Sequence, residues 1–280
     1  MSNHASPSSP SPEPRKQEQR HMIDTTVPHS ARIVNYWLGG KDYYPVDRQV
    51  GQQIIESNPQ MYAIARCSRA FLIRAVTHLA RGVGIRQFLD IGTGMPTANN
   101  THEVAQAVAP ECRVVYVDHD PLVLTHARAL LVGSPEGATD YIDADLRDPD
   151  EILHQAARTL DFGQPVGLML MGIIGHVTDN DEAKAIIDRL LDALPSGSYL
   201  TLCDDTNVID GATMDAMVNH WNKVGTNPRV NRTPEELLGF FDGLDVIDPG
   251  VVSVPYWRPD PSDIGTRVEI DHFGGMGRKP

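Results

Sequence analysis

Residues 88–97 read FLDIGTGMPT, a short apolar run that reaches Asp90 and then breaks into a turn at Gly92 and Gly94. The run has the length and apolarity of a fully buried strand. Glycine permits both a tight turn and a close ligand approach that a Cβ would block. A GxG turn after a strand is shared by many nucleotide-binding α/β proteins, so alone it discriminates little. Two neighbours sharpen it. Asp90 stands two positions before the first glycine, where a dinucleotide cradle carries an apolar or neutral residue. Position 97 is threonine, preceded by Pro96, so the third glycine of the dinucleotide fingerprint is missing. A carboxylate at this turn repels phosphates and suits a ligand that has none.

Outward from this stretch the texture is regular. RQFLDIG, RVVYVD, ATDYID, VGLMLMG and GSYLTLCDD read as buried strands separated by segments of helical periodicity. That alternation marks a parallel sheet covered on both faces, a Rossmann-like α/β fold. Two more strands are expected in GLDVIDPGVVSV and TRVEIDHFGG. Helix starts are signalled by Asp120-Pro121, by Asp179 with Glu182, and by Thr233-Pro234 with Glu236, the last helix closing at Gly243. Upstream, ARIVNYWL is a helix with Ser30 as its cap and Gly39-Gly40 as its stop. A second helix runs from Pro45, and a third from Asn58-Pro59 to Gly82. These helices are expected to form an N-terminal lid over residues 25–84, with the cofactor-binding domain spanning 85–280. Residues 1–24 are a Ser/Pro-rich leader containing RKQEQR, too polar to offset its ordering entropy and expected to be disordered.

Composition narrows the function. Of 280 residues, 41% are apolar and 22% charged, enough to build a full core. No apolar run approaches the roughly 18 residues of a membrane span, and the leader lacks the apolar segment of a secretory signal. Cys67, Cys112 and Cys203 are odd in number and form no CxxC, which fits reduced thiols in a cytoplasm rather than disulfides or zinc. A formal charge of −13 weighs against a nucleic-acid partner. Arg66, Arg69, Arg74 and Arg81 fall on one predicted helix and are read as a solvated charged face.

The chemistry lies in carboxylates at successive strand ends. Asp118 ends VVYVD, one helix and one strand beyond Asp90, so it sits on the neighbouring strand at the same edge. There it can accept both hydroxyls of a ribose. Asp145, in DADLRD after the third strand, can accept from the exocyclic amine of adenine, with Leu146 packing beside it. Asp90 can face an ammonium group. Any one of these residues could equally cap the helix that follows it. Together, with the glycine turn between them, they describe a site for adenosine joined to an amino acid, that is, S-adenosylmethionine. Thr93, His119 and Met171 are expected to line the same site. Asp120 and Asp143 are read as plain caps or solvated groups.

ARIVNYWLGGKDYYPVDR, FLDIGTGMPT, VVYVDHDPLVLTHAR, DADLRDP and the closing DPGVV…WRP make residues 27–280 resemble an actinobacterial-type family of S-adenosyl methyltransferases, formerly a domain of unknown function. The resemblance implies a class I methyltransferase sheet of seven strands with the last antiparallel. It also implies a first cofactor loop at Asp90, Gly92 and Gly94, a ribose carboxylate at Asp118 and an adenine contact at Asp145. Pro96 departs from the broad class I pattern, which commonly has a third glycine there.

Methyl transfer from a sulfonium is an in-line displacement that depends on alignment and water exclusion. It needs a base only when the acceptor must lose a proton. The acceptor pocket is expected over the strand ends after residues 171 and 204, beneath the N-terminal helices. His176, just after the fourth strand, is either a base there or a loop histidine bonded to backbone near Asp179. Tyr36 and Tyr43, with Lys41 and Tyr44, are candidates to shape the acceptor pocket or to pack in the lid. Asp204, Asp205 and Asn207 could offer oxygen ligands to Mg²⁺, but such a cluster after a strand reads better as a turn, and no metal is expected. The acceptor is expected to be a small molecule, such as an aromatic or specialised metabolite. A non-catalytic S-adenosylmethionine sensor or scaffold would share the same binding residues, while an NAD(P)-dependent oxidoreductase is disfavoured by Asp90.

Overall fold

In the computed structural model, which describes residues 23–130, 133–225, 227–263 and 265–280, the apolar runs form one sheet. Apart from its last two residues, the expected leader lies outside the described residues. Strands β1 (Gln87–Ile91), β2 (Arg113–Asp118), β3 (Ala138–Asp143), β4 (Gly167–Met171) and β5 (Tyr199–Asp205) are all parallel. They are followed in the chain by β6 (Asp245–Val246), β7 (Val252–Ser253) and β8 (His272–Arg278). The spatial order is β3-β2-β1-β4-β5-β8-β6, with β7 also paired to β8 and every pairing of β8 antiparallel. The order reverses between β1 and β4, and in open α/β sheets that reversal opens a crevice at the carboxyl ends of the strands. Ile91 pairs with Val117 on one side and Leu170 on the other, so Asp90, Asp118 and Met171 reach the same edge.

Nine helices surround the sheet among the described residues: α1 (Ser30–Trp37), α2 (Pro45–Ser57), α3 (Met61–Thr77), α4 (Thr101–Val108), α5 (Pro121–Leu130), α6 (Pro149–Ala156), α7 (Asn180–Asp192), α8 (Gly211–Val224) and α9 (Pro234–Gly239). Their caps follow local chemistry. The carboxylate of Asp120 accepts from Leu122 N at 2.8 Å and that of Asp179 from Glu182 N at 2.8 Å. Thr233 and Glu236 exchange reciprocal bonds at the start of α9. One cap differs from expectation: extended His29 occupies the cap of α1, and Ser30 is already helical.

Two strand expectations are also corrected. GLDVIDPGVVSV is not continuous, because the chain turns through Asp248-Pro249-Gly250, with Gly250 at φ +88°, and leaves β6 and β7 as separate short strands. The sheet therefore counts eight strands, the expected seven with one of them divided in two. The last strand starts at His272 rather than Thr266, and Val268 is 72% exposed. Its sequence, HFGGMGR, looks like a loop by composition, yet the glycines are sterically required. A Cβ on Gly274 would stand 2.6 Å from Cys203 Cβ and 2.7 Å from Leu202 O.

The N-terminal helices all contribute to one core. Phe71, Ala75, Val76 and Leu79, from α3 and the π-helical turn that extends it, share one buried core with Phe88, Tyr116, Met169 and Met276 of the sheet. Thus α3 packs directly on the sheet, and Ile33 and Trp37 of α1 with Val50, Ile54 and Ile55 of α2 extend the same core. The opposite face buries Leu89, Val115, Leu168 and Leu200 against Ile152, Ile187 and Leu190 of α6 and α7. One side of α1 and one stripe of α3 face the carboxyl edge of the strands.

Gly274→Ala should lower stability by about 1–3 kcal/mol, because the added methyl meets backbone and a buried Cβ that cannot retreat. Gly239→Ala, in open space within α9, serves as the control and should be neutral or slightly stabilising. Thermal melts of both variants check the pair.

Candidate active site

A cavity of about 220 Å³ opens at the strand-order reversal. Asp90, Gly92, Thr93 and Gly94 line it from the β1 turn, Asp118 and His119 from the end of β2, and Asp145 and Leu146 from the end of β3. Met171 and His176 line it from the end of β4 and the loop beyond. The turn needs its glycines: Gly92 and Gly94 have φ of +74° and +68°, and a Cβ on Gly92 would meet Ile173 at 2.5 Å. The neighbouring strand holds the turn in place. Gly92 N donates to Val117 O at 2.8 Å, and Gly94 N to Asp118 Oδ2 at 2.9 Å. The other oxygen of Asp118 accepts from His119 N and Asp120 N at 2.8 and 3.0 Å. Among the described residues no cation pairs with Asp118.

Asp90 is buried and accepts from the Thr101 hydroxyl at 2.6 Å. Burial raises its pKa to about 6, against the opposing pull of Thr101 and Arg69. Asp145 stands at the exposed rim and accepts from Arg147 N at 2.9 Å, while Leu146 beside it is buried.

Asp120 does more than cap α5. Arg32 of α1 binds it in bidentate fashion, Nε to Oδ2 at 2.9 Å and Nη2 to Oδ1 at 3.0 Å, with both groups buried. His29 Nδ1 lies 3.1 Å from the same carboxylate. The residue expected to be a simple cap therefore clamps α1 to the end of β2, two positions from Asp118.

The covering wall comes from α1 and α3. Met61, Ile64, Ala65, Ser68, Arg69 and Leu72 of α3 line the cavity at spacings of three and four, one stripe of the helix. Arg69 therefore belongs to the cavity and not to a solvated face. Of the other helix arginines, Arg74 donates to the carbonyls of Val254 and Trp257, and Arg66 and Arg81 are exposed. On α1 the cavity takes Ala31, Val34 and Asn35, and just beyond that helix Leu38. Tyr36 points roughly 140° away around that helix, so it does not reach the cavity. Its hydroxyl donates to Gln52 of α2 at 2.8 Å, and its ring meets that of Tyr43 edge-on at 5.2 Å. Tyr43, Lys41 and Tyr44 also lie outside the lining.

The far wall is polar. His176 donates from Nδ1 to Pro228 O at 3.2 Å, not to backbone near Asp179, and its ring edge packs on Trp221. Burial, reinforced by Arg229, pushes its pKa down to about 3, so the ring is neutral. Asp204 and Asp205 end β5 as buried strand residues instead of forming a turn. Arg229 Nη2 bridges them at 3.1 and 2.9 Å, and His272 Nδ1 bonds Asp205 at 2.7 Å. Asn207 turns elsewhere and donates to Asp215. Arg229 and His272 had no sequence signal, since each lies tens of residues from its partners. The α3 stripe was present in the sequence as helical spacing.

A mostly parallel sheet with a glycine turn at its reversal and carboxylates at adjoining strand ends defines a Rossmann-like protein of class I methyltransferase architecture. The S-adenosyl methyltransferase family model matches residues 16–280, and the chain belongs to that family. It is similar to a DUF574 family protein from Streptomyces avermitilis, with 45% identity over 92% of this chain and 100% of that one, and a TM-score of 0.89. It also resembles a provisionally assigned methyltransferase from Thermobifida fusca, with 37% identity over 92% and 97% of the two chains and a TM-score of 0.84. No curated protein matches the sequence. The chain is thus an S-adenosylmethionine-dependent methyltransferase, and S-adenosylmethionine is its cofactor.

Arg32→Ala should leave buried Asp120 without its guanidinium, with His29 as its remaining side-chain partner, and cost about 3–5 kcal/mol. A denaturant melt beside the exposed control Arg81→Ala checks this. Equal small losses in the two variants would show that the ion pair does not hold α1.

Proposed function

We propose that the cavity holds S-adenosylmethionine with its ammonium at Asp90, its ribose hydroxyls at Asp118 and its adenine at Asp145 and Leu146, and that the methyl acceptor is a small molecule. The observation that carries this reading is the pair of buried carboxylates, Asp90 and Asp118, on one cavity without a cationic ion-pair partner among the described residues. Such groups call for hydrogen-bond donors and a positive charge and repel phosphate. They fit this cofactor and oppose a dinucleotide. When bound, the cofactor supplies a methyl carbon already activated by its sulfonium.

The protein's own contribution is alignment and dryness. The apolar side chains Met61, Ile64, Ala65 and Leu72 of α3 offer a wall for the acceptor's body, and His176 and Arg229 lie on the polar side. With Nδ1 committed to Pro228 O, neutral His176 keeps an Nε2 lone pair to accept from an acceptor O–H or N–H. Its low pKa makes it a poor store for a proton at neutral pH, so His176 orients the acceptor. A cavity roofed by helices favours a small molecule, and the charge of −13 argues against nucleic acid.

Calorimetry between pH 5 and 8 tests the cofactor placement. Asp90 must be ionised to meet an ammonium, and its pKa in the free protein is raised to about 6. Affinity should therefore plateau above that pH and fall by about tenfold per unit below it, with a proton released on binding. Asp90→Asn should weaken binding and flatten the profile. Asp118→Ala should keep the sheet but loosen the turn that its carboxylate anchors. It should lose at least about 10- to 150-fold in affinity, the range for a hydrogen bond to a charged group. NAD or NADP binding as tight as that of S-adenosylmethionine would overturn the reading.

A further inference from the structure

Three arginines line the cavity, and only Arg69 lacks a carboxylate partner among the described residues. Arg229 is neutralised by Asp204 and Asp205, and Arg147 lies 3.4 Å from Glu182 and 3.7 Å from Asp145. Arg69 is anchored through one nitrogen. Its Nη2 donates to Ala98 O, Asn99 O and Asn100 Oδ1 at 3.4, 3.2 and 3.0 Å. Nε is buried without a partner, and Nη1 bonds none of the described residues.

The loop that provides this anchor follows Pro96 and Thr97, where the dinucleotide pattern would have its third glycine. Asn99 sits at φ +61°, directing its carbonyl to the guanidinium. Asn100 is fixed in turn, accepting from Thr97 N at 3.1 Å and donating its own N–H to Glu103 at 2.7 Å. A permanently charged group is thus held at the cavity with donors to spare, beside Asp90, whose charge counteracts the burial that lowers the Arg69 pKa. The two residues make no direct ion pair. A cation and a carboxylate on one end of a cavity match an amino-acid zwitterion, and a guanidinium is well shaped for a carboxylate.

We infer that Arg69 binds the carboxylate at the amino-acid end of the cofactor, across from the ammonium at Asp90. This rests on the cofactor placement proposed above. It also gives the loop at Thr97–Asn100 a purpose that replaces the phosphate cradle.

Calorimetry with three ligands separates the inference from its foundation: S-adenosylmethionine, its decarboxylated analogue, and 5′-methylthioadenosine, which lacks the amino-acid end. The wild-type protein should prefer S-adenosylmethionine over the decarboxylated analogue by about 10- to 150-fold. Arg69→Ala should bind those two equally while holding 5′-methylthioadenosine as the wild type does, and Arg69→Lys should keep part of the preference. A wild type that binds both sulfonium ligands alike overturns the inference and leaves the adenosine site standing, as does Arg69→Ala with its preference intact. Failure of the wild type to bind 5′-methylthioadenosine would bring down the placement and the inference together. Should melting show that Arg69→Ala does not fold, Asn100→Ala takes its place by removing one anchor oxygen. A reduced preference is then expected, and an undiminished one refutes the role.

Discussion

The bond from Gly94 N to the Asp118 carboxylate ties the turn after β1 to the end of β2, and the rest of the site is arranged around it. Left-handed backbone at Gly92 and Gly94 folds the chain back over the strand ends, and the Val117 carbonyl and Asp118 side chain hold it there. The same carboxylate accepts the amide of Asp120, which receives Arg32 and so positions α1. One acidic residue thereby links the floor of the cavity to its cover. A turn of this kind cannot be made by residues with a Cβ, since Ile173 already occupies the space beside Gly92.

Buried carboxylates recur throughout this molecule, and their partners separate structural groups from chemical ones. Asp271 is fully buried and accepts from the Thr206 hydroxyl and from the amides of Val208, Ile209 and Asp210, which fixes the entrance to α8. Asp204 and Asp205 are matched by Arg229 and His272, and Asp120 by Arg32. A buried charge without such compensation costs several kcal/mol, and the usual response is a shifted pKa. Asp90 shows that response, because burial outweighs its bond to Thr101 and the nearby Arg69. The departure from full compensation falls at the cavity, where a ligand can supply what the protein withholds.

Much of this was legible beforehand because it depends on short-range chemistry. The first five strands follow from apolar runs, the caps at Asp120, Asp179 and Thr233 from adjacent donors, and the fold class from the alternation of strand and helix. The aromatic segment at Tyr36 and Tyr43 misled for an equally physical reason. Aromatic density suggests a binding wall, but the direction of a side chain depends on helix phase, and these rings pack against each other on the outer side of α1. The glycine-rich β8 was hidden by the opposite problem. Strand propensity is low in HFGGMGR, and only the closeness of Cys203, Leu202 and Phe241 explains why no side chain fits there.

The sequence by itself determined the parallel α/β sheet, the glycine turn and the acidic residues at successive strand ends, since each is set by periodicity, backbone freedom or a spacing of one helix and one strand. Tertiary structure alone decided which of these carboxylates gain a cationic partner. Asp118, Asp120, Asp204 and Asp205 look alike in the sequence. They differ only because Arg32, Arg229 and His272 arrive from distant segments to neutralise three of them, and the pairing of buried charges is fixed by contacts that no local pattern encodes.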